Sequence, residues 1–403
     1  QGRRLPPEGG VPVHGDTAQN DCSGNSHPGP LPVGRREERA TFDCGIVDVP
    51  GHEDFVKNMV AGVGSIDLAL FIVAADDGWM PQTEEHLQIL TYLGVTRAVV
   101  ALTKIDLAEG NEAAVITALR EKLADSPFAE VPIVPTSVVT GRGIDELKSV
   151  LAGVLAQTPP SPDIGKPRLP VDRVFTLHGI GTVVTGTLTG GSFNRNQSVV
   201  VQPGGKATRV RSLQTHNREV QTSGPGTRTA LNLPDMANVA ASGGEGIQRG
   251  DVVTLPDFGE ATNTIDVVLE KSVRLIDSQT RAARPLKDGA RVRVHAGSGN
   301  YAGRISLIDA KELLPGDRAL AQVRFEAPVF VFAGDRFIVR DWPELATLAG
   351  GVVLDPAASR KQLRSEARKC FLQQRAEAGA NVAAWVAAGI AREIFQQADF
   401  PRL

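Results

Sequence analysis

Asp48, Gly51 and His52 form the first group of residues whose types and spacing could do chemistry, in the stretch DVPGHEDFVKNM. An aspartate at the end of a strand can hold Mg²⁺ through water molecules. A glycine N–H can reach a terminal phosphate because no side chain blocks the approach. A histidine beside that phosphate can orient an attacking water molecule. The spacing therefore predicts a phosphate site, with Asp48 near a metal ion and His52 as the catalytic residue.

Two further groups follow later apolar stretches and suit the recognition of a purine base. In TKID (103–106), the Asp106 carboxylate can accept hydrogen bonds from guanine N1–H and N2–H₂, while the stem of Lys104 lies over the ring. In TSVVTG (136–141), N–H groups of a turn at Ser137 can donate to guanine O6. Both groups predict contacts to guanine.

Each group also has an ordinary structural explanation. Asp48 could cap a helix, His52 could lie in a solvated turn, and Asp106 could cap the helix that follows it. Taken alone, each of these explanations is the commoner one. The three groups occur in order, each after its own predicted strand, and this combination favours a site for a guanine nucleotide.

Residues 41–158 supply the elements that must position these groups. Apolar runs of strand length alternate there with amphipathic stretches, which predicts a parallel sheet covered on both faces. In such sheets, ligands bind at the carboxyl ends of strands. The predicted strands are residues 41–48, 67–75, 97–103 and 131–137, and the predicted helices are residues 53–63, 81–94, 111–126 and 143–157.

The sequence pattern is different on both sides of this domain. A proline-rich linker at 159–170 leads to Val/Thr-rich runs separated by glycines, which predict β-barrels at 171–258 and 259–358. Residues 359–403 become helical in pattern. Residues 1–40 contain no Ile, Phe, Met, Tyr or Trp, and we predict disorder there because little apolar surface can be buried.

The composition excludes several classes of protein. A net charge of −3 argues against a protein that coats nucleic acid through bulk charge, while leaving room for a local basic face. Cys22, Cys44 and Cys370 lack CxxC spacing, which disfavours a zinc site or a disulfide framework and fits a reducing compartment. We find no run of 18 apolar residues and no leader. We therefore expect a cytoplasmic, monomeric protein with no membrane partner.

Two long stretches, DVPGHEDFVKNMVAG and DDGWMPQTEEHLQIL, resemble the translational GTPases of the elongation factor Tu group. Later stretches, among them VRSLQTHNREV, GDRFIVRD and GGVVLDP, resemble the selenocysteine-specific elongation factors. The resemblance covers residues 41–360. It implies an α/β P-loop-type GTPase domain, two β-barrels that hold aminoacyl-tRNA, and winged helices that read an mRNA hairpin. It also implies GTP and Mg²⁺ as cofactors, with selenocysteinyl-tRNA and the ribosome as partners.

The resemblance also assigns roles residue by residue. It matches His52 to the water-orienting residue and Asp48 to the residue that helps hold the metal ion. Thr103 stands where many GTPases have asparagine, and a hydroxyl lacks the amide's second group, which implies weaker affinity for the base. The positions that match nucleotide-binding motifs are Asp48, Gly51, Thr103, Lys104, Asp106 and Ser137.

An amino-acid pocket follows from the same resemblance. In the elongation factor Tu group, an acidic pair before the first barrel strand and a later asparagine line this pocket, and the matching positions here are Asp172, Arg173 and Arg228. A selenol is more acidic than a thiol, so it would bind as an anion that guanidinium groups stabilise. A neutral serine would leave the arginines unpaired. Alternatively, Arg173 and Arg228 are solvated barrel residues or contacts to tRNA phosphates.

Two features depart from the family pattern. The phosphate loop GxxxxGK[ST] requires a lysine, and residues 1–47 contain neither a lysine nor this spacing. Few residues follow GGVVLDP (350–356), too few for a string of winged helices. We therefore expect a GTPase domain that is incomplete at its amino-terminal end and a truncated hairpin reader. A frameshift, a misjoined gene prediction or a genuine pseudo-GTPase would each explain residues 1–40.

The sequence thus predicts a selenocysteine-specific elongation factor that delivers selenocysteinyl-tRNA to the ribosome with GTP hydrolysis, impaired in this chain. Two alternatives stay open. One is a tRNA-binding pseudo-GTPase that does not hydrolyse GTP. The other is another GTPase of the elongation factor Tu or initiation factor 2 gamma type.

Overall fold

A computed structural model of the chain describes residues 44–49, 66–108, 110–239, 246–276, 278–361, 363–379 and 381–391. Asp48–Leu403 forms one compact unit that contains every element below. Of the other unit, Gln1–Val47, only residues 44–47 are described. The predicted disorder of residues 1–40 and the predicted helix at 53–63 lie outside the described residues.

The first domain has the alternating strands and helices that the sequence predicts. Its strands run parallel in the order β1–β2–β3. The first five residues of β2 are buried, because this strand lies between two others and both of its faces are covered. The strands are β1 (Ala69–Ala74), β2 (Ala98–Thr103) and β3 (Ile133–Pro135), and the helices are α1 (Pro81–Tyr92), α2 (Glu112–Leu123) and α3 (Ile144–Ala156).

The described part of the predicted first strand does not form a strand. Residues 44–49 have no regular secondary structure, and Ile46 is 90% exposed. Only Val49 packs against the apolar core of the domain. The prediction of a strand at 41–48 is therefore wrong for these residues. An apolar run of strand length shows a preference for extended structure, but it does not show that the segment joins a sheet.

The first barrel consists of two main sheets that enclose one apolar core. Their orders are β11–β10–β13–β6–β5 and β4–β14–β8–β9. Strand β4 comes from the end of the predicted linker and pairs with β14. The strands are β4 (Arg168–Pro170), β5 (Arg173–Leu177), β6 (Gly181–Thr187), β7 (Phe193–Asn194), β8 (Ser198–Gln202), β9 (Lys206–Arg209), β10 (Ser212–Thr215), β11 (Arg218–Val220), β12 (Thr222–Ser223), β13 (Arg228–Leu233) and β14 (Val252–Thr254).

The second barrel is closed. Six strands follow the order β15–β20–β18–β17–β21–β22, and β22 pairs back with β15. Alternate residues of β15, namely Ile265, Val267 and Leu269, lie in its core, as the period of a strand requires. The strands are β15 (Thr262–Glu270), β16 (Leu286–Lys287), β17 (Arg291–Ala296), β18 (Gly299–Leu307), β19 (Glu312–Leu313), β20 (Arg318–Val329), β21 (Arg336–Asp341) and β22 (Thr347–Asp355).

Helix α1 packs against the second barrel and so ties the first domain to it. Consecutive glutamates of α1 each meet an arginine: Glu84 pairs with Arg274, and Glu85 pairs with Arg340. The ring of Tyr92 lies so close to β22 that a Cβ built on Gly350 would be 2.3 Å from it. Glycine at this position therefore permits the close approach of the helix to the barrel.

Two helices, α4 (Glu366–Ala378) and α5 (Val382–Ala391), follow the second barrel. Ser365 is the N-cap of helix α4, and its hydroxyl accepts the N–H of Arg368. The Arg368 side chain is buried between Asp266 and Asp355 and holds the helix against the barrel. None of the described helices is both long enough and apolar enough to cross a bilayer.

Candidate functional site

The carboxyl end of β2 carries the residues predicted to read a guanine base. Thr103 is the last residue of the strand. Lys104 follows in the left-handed region, with φ of 57°, and the chain then turns through a 3₁₀ helix at Ile105–Leu107. This sharp turn leaves the side chains of Lys104 and Asp106 exposed at the edge of the sheet. Residues other than glycine rarely adopt this left-handed backbone conformation unless the surrounding structure holds them in it.

The loop after β3 lies beside this turn. The N–H of Ile105 donates to the Thr136 carbonyl at 3.2 Å, which joins the two predicted motifs. Ser137 is buried, and its hydroxyl accepts the N–H of Thr140 at 3.2 Å. Gly143 ends the loop with φ of +73°, and a Cβ there would lie 1.9 Å from the Pro135 carbonyl oxygen. The predicted turn therefore exists, and it lies next to Lys104 and Asp106 because their strands are neighbours.

A pair of aspartates completes this edge of the sheet. The Lys104 ammonium donates to Asp76 at 2.9 Å and to Asp77 at 3.4 Å. Its hydrogen bond to Asp76 raises the pKa of Lys104, and the same bond lowers the pKa of Asp76. Sequence reasoning missed both aspartates. Their signal was available, since they directly follow the apolar run of β1.

These residues fit a guanine base. Asp106 offers an exposed carboxylate, Lys104 an exposed stem, and the Ser137 loop a tight turn with backbone N–H groups. The predicted metal-binding residue, Asp48, is described and exposed. Within the described residues, no group of three or more His, Cys, Asp or Glu side chains could hold a metal ion. Gly51 and His52 lie outside the described residues.

The predicted pocket of the first barrel lies on the outer face of one sheet. Arg173 of β5 is opposite Thr185 of β6, and Arg228 of β13 is opposite Thr187 of β6. Cross-strand partners share a face, and residues two apart along a strand also share a face. Arg173 and Arg228 therefore lie on the same face. This face is exposed to solvent, because the alternate residues of β6 point into the barrel core.

Asp172 is the centre of this group. One of its carboxylate oxygens accepts Arg228 Nη1 at 2.7 Å, and the other accepts the hydroxyl of Thr185 at 2.7 Å. The N–H of Asp172 also donates to the Thr185 carbonyl at 2.9 Å. Arg228 remains 42% exposed. Arg173 makes no ion pair within the described part of the chain, so the group carries one net positive charge on an open face.

Comparisons with known proteins agree with this architecture. The family model described as elongation factor Tu GTP binding domain matches residues 33–157. The model described as selenocysteine-specific elongation factor, beta-barrel domain, matches residues 273–360. Together they cover the first domain and most of the second barrel.

Curated relatives point to the same group. Selenocysteine-specific elongation factors from Desulfomicrobium baculatum and Escherichia coli are 38% and 36% identical to the chain, over 80% and 79% of its length. The chain belongs to the selenocysteine-specific elongation factor family. It spans about half the length of these relatives, 49% and 48%. An elongation factor 1-alpha from Methanosarcina mazei is 30% identical over 76% of the chain and 72% of its own length, which places the family among the wider elongation factors.

Solved structures of the selenocysteine-specific elongation factor family show the same fold. A bacterial selenocysteine-specific elongation factor, EF-Sec, superposes with a TM-score of 0.69 at 29% identity, over 84% of this chain and 53% of its own. Translation elongation factor SelB from Methanococcus maripaludis, in complex with the GTP analogue GPPNHP, gives a TM-score of 0.65 at 25% identity, over 78% of this chain and 71% of its own. These likenesses confirm the predicted GTPase domain followed by β-barrels.

Proposed function

We propose that this chain binds selenocysteinyl-tRNA for delivery to the ribosome and binds GTP in its first domain. The observation that carries the proposal is the group of Asp172, Arg173 and Arg228 on one solvent-exposed face of the first barrel. Its support in the comparisons is that the relatives from Desulfomicrobium baculatum and Escherichia coli are selenocysteine-specific elongation factors.

The charge of the group suits a selenolate. The carboxylate of Asp172 neutralises one guanidinium, and the remaining positive charge matches a single anion. An arginine stays charged at every pH that a protein experiences, so the site cannot adapt to a neutral ligand by losing a proton. A seryl group would therefore displace water from the arginines without offering charge in return.

The guanine base would lie at the carboxyl ends of β2 and β3. Asp106 would accept the base N–H groups, the stem of Lys104 would cover the ring, and Ser137 would hold the turn that donates to O6. Mg²⁺, when bound with the nucleotide, neutralises phosphate charge, and Asp48 would help to hold its water ligands. We further propose that Gly51 approaches the terminal phosphate and that His52 orients the attacking water. Thr103 would support the base more weakly than an asparagine.

The test of the pocket is Arg228→Ala. We would measure the dissociation constants of selenocysteinyl-tRNA and of seryl-tRNA on the same tRNA body, with a GTP analogue present. The variant should lose most of the preference for the selenocysteinyl form, because the anion loses its partner. Arg195→Ala is the matched control, since Arg195 forms an exposed pair with Glu219 on the same barrel. An unchanged preference in Arg228→Ala contradicts the pocket.

The alternative functions give different results in a second experiment. Ribosome-stimulated GTP hydrolysis supports a working GTPase, with His52→Ala expected to abolish it. Tight tRNA binding with no GTP turnover and no measurable GTP affinity would favour the non-hydrolysing tRNA-binding protein. Equal affinity for many aminoacyl-tRNAs would favour a general elongation factor instead.

A further inference from the structure

The pairing of Arg228 with Asp172 differs from the two-bond arginine–carboxylate pairs of this protein. Arg274 meets Glu84 through two hydrogen bonds of 2.8 Å, one to each carboxylate oxygen. Arg168 of the first barrel likewise meets both oxygens of Asp335, at 2.6 and 2.9 Å. Such two-bond pairs match the planar shapes of both groups and are the usual strong arrangement. Arg228 instead makes one bond, to a single oxygen of Asp172.

The other oxygen of Asp172 is bound by the hydroxyl of Thr185. This hydroxyl donates to it at 2.7 Å, whereas Arg228 bonds only the first oxygen. The backbone also fixes the aspartate, because the Asp172 N–H donates to the Thr185 carbonyl at 2.9 Å. Threonine is stiff about χ1, so its hydroxyl stays aimed at one position. Asp172 is therefore held by Thr185 at both its main chain and its side chain.

We propose that Thr185 is a positioning residue of the aminoacyl pocket, which keeps the Asp172–Arg228 pair to one hydrogen bond and reserves the other Arg228 N–H groups for the selenolate. This inference rests on the proposed function of that pocket. Thr185 lies directly opposite Arg173 in the sheet, so it stands between the two arginines on their shared face. It would not contact the ligand through a charge of its own.

The reason is the competition between two carboxylate geometries. Without the hydroxyl, the Asp172 carboxylate is free to rotate and offer both oxygens to the guanidinium. That two-bond pair would occupy a second N–H edge of Arg228 and neutralise it more completely. An incoming anion would then have to break the pair before it could bind. The seryl form, which carries no charge, would be affected much less.

The binding test compares Thr185→Val, Thr185→Ser and Thr187→Val in the full chain. Valine preserves the shape and removes the hydroxyl, and serine restores it. Thr187 lies on the same strand and face, and its hydroxyl makes no hydrogen bond within the described residues. We expect Thr185→Val to lower the preference for selenocysteinyl-tRNA over seryl-tRNA about tenfold, the scale of one charge-assisted hydrogen bond. The serine variant and the Thr187→Val control should keep the native preference. An unchanged preference in Thr185→Val overturns the proposal.

A crystal structure of Thr185→Val tests the geometry without any ligand. The expected result is an Asp172–Arg228 pair with two hydrogen bonds, and a pair that keeps its single bond overturns the proposal. The crystal structure also tests the role of Thr185 independently of the proposed function of the pocket. If the native chain shows no preference between the two aminoacyl forms, the proposed pocket is contradicted, whereas the crystal structure still decides whether Thr185 controls the pair.

Discussion

Arg228 of the first barrel and Arg340 of the second make the same bond in different surroundings. Each donates Nη1 to a carboxylate oxygen at 2.7 Å, to Asp172 in one case and to Glu85 in the other. The side chain of Arg228 is 42% exposed, whereas that of Arg340 is 1% exposed. Distance alone therefore does not distinguish an arginine that can bind a ligand from one that holds two domains together.

The remaining hydrogen bonds make the distinction. Arg340 also donates to the Thr347 hydroxyl at 2.9 Å and to the Glu344 carbonyl at 2.7 Å, so both of its Nη groups are used inside the protein. Among the described residues, Arg228 has one hydrogen-bond partner, and its side chain is 42% exposed. Arg340 of the second barrel thus fastens helix α1, whereas Arg228 of the first barrel keeps part of its guanidinium exposed.

The largest expected effect is in Arg340→Ala. Removing this buried guanidinium leaves the partly buried carboxylate of Glu85 without its counter-charge, and we expect the free energy of unfolding to fall by about 3 kcal/mol. Urea unfolding followed by tryptophan fluorescence measures the loss. The exposed pair partner Arg195→Ala should change the same quantity by less than about 0.5 kcal/mol. Equal effects in the two variants would contradict the contrast between the barrels.

Gly350→Ala tests the close approach of α1 by steric means. The new Cβ would lie 2.3 to 2.4 Å from three atoms of Tyr92, so the helix and β22 must separate. We expect a loss of about 2 kcal/mol in the free energy of unfolding. Gly153→Ala in α3 is the control, since its Cβ meets nothing within 4 Å and alanine favours a helix. A loss no larger than that of the control would show that the contact is loose.

Arg274→Ala tests the same contact through pH. Burial, the largest single cause, would raise the pKa of Glu84, but the hydrogen bonds and charge of Arg274, together with hydrogen bonds from Gln88 and Trp79, outweigh it and hold this pKa below 4.5. A carboxyl whose pKa is lower in the folded state stabilises the protein above its unfolded pKa, and this contribution is lost as the pH falls below 4.5.

The variant should lose about 1.5 kcal/mol at pH 7 and should show a weaker fall in stability as the pH falls below 4.5. Denaturant unfolding at several pH values measures both effects. The control is Arg318→Ala, whose pair with Glu270 is long, at 3.8 Å, and exposed. If the acid dependence of Arg274→Ala matches that of the native chain, Glu84 does not contribute it.

The smallest expected effect on stability is in Arg228→Ala. Its pair is exposed, so the free energy of unfolding should change by no more than about 0.5 kcal/mol. The same variant should change the preference between aminoacyl-tRNAs, as proposed above. A large loss of stability with unchanged binding would show that Arg228, like Arg340, serves to hold the protein together and does not bind the ligand.

Much of the first domain follows from local pattern. The apolar runs at 67–75 and 97–103 became β1 and β2, because buried parallel strands need apolar residues on both faces. Pro81 correctly marked the start of α1, and the helix ends at Tyr92, two residues before the predicted end at Gly94. The FDCGIVDV stretch has a similar pattern, yet its described residues form no strand. Local pattern gives the propensity of a segment, whereas pairing depends on its neighbours.

The candidate sites also contain residues that the sequence predicted and contacts that only the structure shows. TKID and TSVVTG were predicted from the sequence, and the structure joins them because their strands are adjacent. The engagement of Lys104 by Asp76 and Asp77 was not predicted, since it requires the turn after β1 to face the turn after β2. Thr185 was missed as well, because only the alternating burial of β6 in the folded barrel shows that its side chain lies on the outward face.

The sequence by itself determined the residue types, the order of the domains and the family resemblance, because these depend on spacing along the chain. Only the tertiary structure decided how Arg228 is used. Its carboxylate partner lies 56 residues away, and the threonine that holds this partner lies 13 residues beyond it. Strands β5, β6 and β13 must pair in register before the Thr185 hydroxyl can bond one oxygen of Asp172 while Arg228 bonds the other. Hydrogen bonds depend steeply on such angles and distances, and spacing along the chain does not specify them.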